Sequence, residues 1–272
     1  MSNIVLRAIT GTLFVSLMVA STQLPWLFDI ICVVFPALCV WELCRMFGYN
    51  IWVSIISVVG LFGIIAVRLG YIEQISNYLF TPFIFVFLVV GTASKQKGIK
   101  ISSITIVGIV YITLSFLFYN NLVHISIDNL KYESIICFDN TYILCMLIFI
   151  WINDSFAYLI GRRIGKTPLA PRISPKKTIE GTLGGLVCTI LAAIALKYIY
   201  TIPDGNWFYV WALLVSISAT VGDLIESKVK RIAGVKDSGN LLPGHGGFLD
   251  RLDAMLFCSI VSFLFFKFVP LF

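Results

Sequence analysis

Residues 181–200 read GTLGGLVCTILAAIALKYIY, with Lys197 the one charged side chain in the stretch. About 20 apolar residues in a helix are enough to cross the hydrocarbon core of a bilayer. Working outward from it, similar runs occur at roughly 5–23, 27–46, 51–70, 77–93, 102–122, 140–161, 206–227 and 252–270, nine in all with the first. Hydrophobic residues make up 59% of the 272-residue chain and charged residues 12%, against about 25% charged in soluble domains. One water-soluble globule of this length cannot bury that apolar excess. The expected fold is all-α, a polytopic transmembrane helical bundle of about nine spans. No long charge run, linker composition or solenoid repeat divides it, so residues 1–272 are expected to form a single integral membrane domain.

Residues 5–23, flanked by Arg7, have the outline of a secretory signal. Met18 to Thr22 lacks a clean small-x-small cleavage site, so an uncleaved first span is expected. The seven cysteines lie mostly in apolar runs and none forms a CxxC pair, which argues against a disulfide or zinc framework.

Nine spans place successive loops on alternate sides. All but four of the basic residues then fall on one side; the exceptions are Arg68, Lys131, Lys197 and Lys267. The positive-inside rule makes the rich side cytoplasmic, with the N-terminus inside and the C-terminus outside. The two long basic loops, 162–180 and 228–251, share that face with soluble nucleotides.

The polar residues concentrate in three segments. In the first, Asp223, Glu226, Ser227, Lys230, Arg231 and Lys236 follow the end of an apolar run. On a helix, Asp223, Ser227 and Lys230/Arg231 share one face. Carboxylate oxygen suits a hard cation such as Mg²⁺, and the basic side chains suit phosphate charge. The second segment runs Leu242-Pro243-Gly244-His245-Gly246-Gly247-Phe248-Leu249-Asp250-Arg251-Leu252-Asp253. Its glycines allow backbone amides to face an anion, and the helix that follows presents its positive end the same way. Asp250 and Asp253 occupy the first turn of that helix, where they both favour the dipole and can bind metal. His245 is open between general base, phosphate donor and loop-fixing residue.

In the third segment Asp154 interrupts an apolar run, and an ionisable group there signals function. Asp154, Tyr158 and Arg162 share a helix face. The loop beyond, with Ser174, Pro175, Lys176, Lys177 and Thr178, offers donors to a triphosphate. Glu42 and Arg45 are spaced for an ion pair to which no chemistry is assigned.

Taken together, Ser227 to Arg231, Lys236-Asp237 and Leu242 to Asp253 resemble the signature of the phosphatidate cytidylyltransferases, the CDP-diacylglycerol synthases. Asp154 to Tyr158, Gly161-Arg162 and Ser174 to Thr178 are similar to that family as well, while Ile179 stands where many members would carry an aromatic residue. The resemblance implies transfer of CMP from CTP to phosphatidic acid, giving CDP-diacylglycerol and pyrophosphate. It implies a catalytic set of Asp223, Asp250, Lys230, Arg231 and His245. Asp223 and Asp250 lead as ligands of Mg²⁺ or another hard divalent cation, followed by Asp253 and Glu226. Substrate contacts are expected from Asp154, Tyr158, Arg162, Ser174, Lys176, Lys177, Thr178, Ser227, Lys236, Gly246, Gly247 and Arg251. Residues 1–139 would supply N-terminal spans, and 140–272 the catalytic spans and cytoplasmic loops.

CTP, phosphatidic acid and the bilayer are the expected partners, with no nucleic acid. A homodimer packed through Gly184 and Gly185 is one use of those glycines, and packing within the chain is the other. The expected location is a bacterial inner membrane with the site facing the cytoplasm. Alternatives are a CTP-dependent polyprenol kinase and a membrane transporter. Against the transporter, polar groups gather in loops instead of lining spans at the midplane. A CDP-alcohol phosphotransferase would need an Asp-Gly-x-x-Ala-Arg signature that this chain lacks.

Overall fold

The computed structural model describes residues 3–49, 99–123, 140–200, 202 and 206–268. Seven helices are seen among them: α1 (Asn3–Gln23), α2 (Pro25–Met46), α3 (Ile99–Leu122), α4 (Thr141–Ile164), α5 (Ile179–Ile199), α6 (Trp207–Ile232) and α7 (Leu249–Phe268). Six of them, α1 to α6, contain stretches long and apolar enough to cross a membrane. At 24 residues, α4 is about 36 Å long, more than the ~30 Å hydrocarbon core. The run at 252–270 lies in α7 as far as Phe268, whereas its last two residues and the runs at 51–70 and 77–93 lie outside the described residues.

The helices begin and end where local chemistry directs. Pro25 opens α2, where its missing N–H costs nothing. Thr178 caps α5 by accepting a hydrogen bond from the Gly181 amide at 3.2 Å. Ahead of α5, the expected loop is instead a small antiparallel hairpin of β1 (Pro168–Ala170) and β2 (Ser174–Thr178). Pro168 pairs with Thr178 and Ala170 with Ser174. Glu180 ties down its base, accepting from the amides of Lys166 and Thr167, each at 3.1 Å. The fold is therefore helical with one short two-stranded exception to the all-α expectation.

The chain divides into two compact units. Unit one comprises Met1–Leu117 with Ile232–Arg251, and unit two comprises Phe118–Arg231 with Leu252–Phe272. In unit one, the rings of Phe14, Phe35 and Phe248 pack together, Phe35 and Phe248 edge to face at 4.5 Å. In unit two, Trp211 is fully buried among Tyr142, Phe149 and Phe266. Its indole N–H donates to Ser262 Oγ at 2.9 Å, so the buried polar atom is satisfied.

Also in unit two, α4 and α5 pack closely. A Cβ at Gly185 would lie 2.6 Å from the Asn153 carbonyl oxygen, and one at Gly184 would strike Ile160. Both glycines thus serve packing within the chain, which takes away their support for a homodimer. The described cysteines form no disulfide among themselves.

Candidate active site

Three acids of unit two meet. Asp223, Glu226 and Asp253 each offer a carboxylate oxygen, and the three oxygens lie within 4.8 Å of one another. Asp223 and Glu226 lie three apart on α6, and so on neighbouring positions of one face. Asp253 comes from α7, and Gly222 explains its approach. A Cβ there would stand 2.6 Å from the Asp253 carbonyl oxygen, so only glycine lets the two backbones close at this level.

Basic and polar side chains surround the acids. Lys177 forms an ion pair with Asp223 Oδ2. Ser227 donates to Asp223 Oδ1 at 3.1 Å. Lys230 lies 2.5 Å from Glu226 Oε2, one turn along α6. Asp253 Oδ1 accepts the Ala254 amide at 2.7 Å. Asp154 on α4 interacts electrostatically with both Lys177 and Asp223. Three carboxylate oxygens in this grouping form a donor set that fits a hard divalent cation, which prefers oxygen ligands at about 2.0–2.6 Å.

The hairpin decides which lysine reaches the acids. Successive residues of a strand point to opposite faces. Lys177 of β2 pairs with Asp223, whereas Lys176 beside it is exposed. Arg231 braces the hairpin by donating from Nε to the Ile173 carbonyl at 3.3 Å. Thr178 spends its hydroxyl on the α5 cap, and Ser174 begins β2. Tyr158 and Arg162 are exposed on α4 beyond Asp154.

The glycine-rich segment belongs to unit one. Gly244 and Gly246 have φ of 79° and 88°, which L side chains rarely adopt, and Leu242 bridges to Gly246. One of its amides, that of Gly247, faces an acid of the protein's own. Asp250 Oδ2 accepts from the Gly247 amide at 2.8 Å and the Ser238 amide at 2.9 Å. Asp250, expected as a leading metal ligand, has one carboxylate oxygen engaged by these two amides. Arg251 donates to the His245 carbonyl at 2.8 Å, closing the same loop from α7. His245 Nδ1 shares a hydrogen bond with the Thr10 hydroxyl of α1. Burial, then the charges of Arg251 and Arg7, hold the imidazole below its usual pKa. Lys236 is exposed in the same segment.

Reading the sequence missed the supports of Asp154. Asn153, almost fully buried, donates from Nδ2 to Asp154 Oδ1 at 3.2 Å. Its Oδ1 accepts from Ser216 Oγ of α6 at 2.7 Å. A polar Asn directly before Asp154 in an apolar run was the available signal, because a buried amide requires partners.

The cytidylyltransferase family model matches residues 3–269 of this chain. A phosphatidate cytidylyltransferase of Staphylococcus aureus (strain COL) is 46% identical over 117 residues, 43% of this chain and 45% of that protein. One from Staphylococcus haemolyticus (strain JCSC1435) is 45% identical over 117 residues, with the same two shares. One from Bacillus subtilis (strain 168) is 41% identical over 162 residues, 57% of this chain and 56% of the relative. In these alignments the chain spans about half the length of the curated relatives it matches.

Proposed function

Because this chain belongs to the cytidylyltransferase family, we propose that it transfers CMP from CTP to phosphatidic acid, releasing CDP-diacylglycerol and pyrophosphate. The observation that carries this reading is the meeting of Asp223, Glu226 and Asp253 with Lys177 and Lys230 alongside. An oxygen of the lipid phosphate attacks the α-phosphorus of CTP. The new O–P bond forms as the bond to the β-phosphate oxygen breaks, and pyrophosphate carries away the electron pair. The lipid phosphate is already anionic near neutral pH, so no strong base is needed. The obstacle is repulsion between two anions.

Asp223, Glu226 and Asp253 would hold a divalent cation, Mg²⁺ in the simplest case. When bound, it would offset charge on the reacting phosphates and the leaving pyrophosphate. Lys177 and Lys230 add positive charge beside the acids, and Arg231 and Lys236 add more toward the triphosphate. Arg162 and Arg251 would each hold the lipid phosphate or orient a carboxylate. Asn153 and Ser216 hold Asp154 in orientation.

The full topology belongs to this reading: nine spans in a single integral membrane domain, the N-terminus and site cytoplasmic, in a bacterial inner membrane. A reporter fused after Phe272 should then face away from the cytoplasm.

The deciding experiment supplies purified protein in detergent with phosphatidic acid, labelled CTP and Mg²⁺. A lipid-soluble cytidine product with stoichiometric pyrophosphate is expected. Release of CDP with a newly phosphorylated polyprenol, when that alcohol is supplied, would replace this reading with the kinase.

A further inference from the structure

We propose that Glu42, in the second helix, is a positioning residue that holds the glycine-rich loop 238–249 and the start of α7 in their working shape. The proposal rests on the functional reading above for what the loop serves, and on unit one alone for its geometry. Glu42 is fully buried near the end of an apolar helix, where an ionisable side chain is expensive to place. Its Oε2 accepts from Ser238 Oγ at 2.8 Å and from the Leu249 amide at 2.9 Å. One oxygen therefore ties together the two ends of the loop. The expected pair with Arg45 gives way to these contacts, and the Arg45 guanidinium instead lies over the Trp41 ring at 5.3 Å.

The loop is built around this carboxylate. A Cβ at Gly239 would come within 2.5 Å of Glu42 Oε1, and one at Gly247 within 2.6 Å of Oε2. Ser238 is held twice, its hydroxyl by Glu42 and its amide by Asp250. Leu249 is the first residue of α7, and its amide has no partner inside the helix. Such amides are commonly capped from a residue close in sequence. Here the cap comes from a helix 207 positions away. Phe248, just before Leu249, is anchored against Phe35 of the same helix as Glu42. Asp253 lies one turn further along α7, so Glu42 acts on the chemistry through that helix and the loop, without touching substrate.

The test uses the full chain in detergent, comparing Glu42→Leu, Glu42→Gln, Ser238→Ala and the Gln/Ala double variant. Glu42→Leu should lower kcat about a hundredfold, the scale set by misplacing reacting groups by an ångström, with little change in KM for CTP. Trypsin should then cut after Lys236 faster than in the wild type. Glu42→Gln keeps an accepting oxygen, so it should recover most of kcat and the protease resistance. If Glu42→Leu does not insert or fold, the milder pair decides. Non-additive effects of Glu42→Gln and Ser238→Ala support the clasp, and additive ones overturn it. Wild-type kcat in Glu42→Leu overturns it, as does equal damage from Leu and Gln. A wild type that makes no lipid-linked cytidine fails the functional reading, and the protease result still judges the clasp.

Discussion

The two units use carboxylates in opposite ways. In unit two, Asp223, Glu226 and Asp253 face one another and meet lysines, a serine hydroxyl and a single amide, that of Ala254 on Asp253. In unit one, Asp250 and Glu42 each spend an oxygen on the loop, taking the amides of Ser238, Gly247 and Leu249 and the hydroxyl of Ser238. Backbone donors satisfy a carboxylate and hold chain in place. Acids crowded against acids are stabilised by a cation. Asp250 and Asp253 stand three residues apart in one signature, and the fold gives them different donors.

The largest expected effect tests this division directly. Asp223→Asn and Asp253→Asn should each lower turnover on the order of a thousandfold, the kinetic equivalent of several kcal/mol of charge stabilisation. Both should weaken binding of Mn²⁺ used as a spectroscopic probe. Asp250→Asn should cost only about tenfold, the scale of a charge-assisted hydrogen bond made neutral, and leave Mn²⁺ binding close to wild type. Loss of Mn²⁺ binding in Asp250→Asn as complete as in Asp223→Asn would move Asp250 into the metal site and erase the distinction.

A smaller effect sharpens the description of unit two. Lys177→Ala should raise KM for CTP or lower kcat by about ten- to a hundredfold, the range for a lost charge-assisted contact. Lys176→Ala should change either parameter by less than about threefold, as for an exposed charge. Equal losses from the two would mean that the hairpin does not present alternate faces in the working enzyme. Smaller again, Ser216→Ala should reduce kcat by roughly fivefold, in line with about 1 kcal/mol for one buried hydrogen bond. If Asn153 carries the effect to Asp154, adding Ser216→Ala to Asp154→Ala should change nothing further.

These contrasts show what the sequence could disclose. Apolar runs announce membrane helices because a span is a local, one-dimensional pattern, and six of the described helices carry it. The acids and lysines that meet in unit two were legible as residue types because they lie in three polar segments of the C-terminal half. The hairpin was not legible, since Ser174 to Thr178 read as a loop, and Lys176 and Lys177 looked equivalent there. Glu42 was illegible for a different reason. Its partners Ser238 and Leu249 are 196 and 207 positions away, and a single acid in an apolar run carries no mark of what it will hold. The amides that fold back upon Asp250 were not legible, because a motif names residue types and not their partners.

The smallest expected effect concerns the fastening of unit one, and its sign decides between two roles for His245. The imidazole has an ordinary pKa near 6.5 in the unfolded chain. In the folded chain it is held lower, first by burial and then by Arg251 and Arg7. Between those two values the unfolded state binds more protons, so stability rises with pH in that window. The full contribution is present above about pH 6.5. It declines as pH falls toward the folded value and changes no further below it. Thermal inactivation in detergent should therefore come at lower temperature as pH drops from 7 toward 5.5, and His245→Asn should flatten that part of the profile. A neutral ring sharing its Nδ1 with Thr10 acts as a fastener, as Asp250 and Glu42 do. Stability that instead increased on acidification would require an anion beside the imidazolium, and would assign His245 to phosphate.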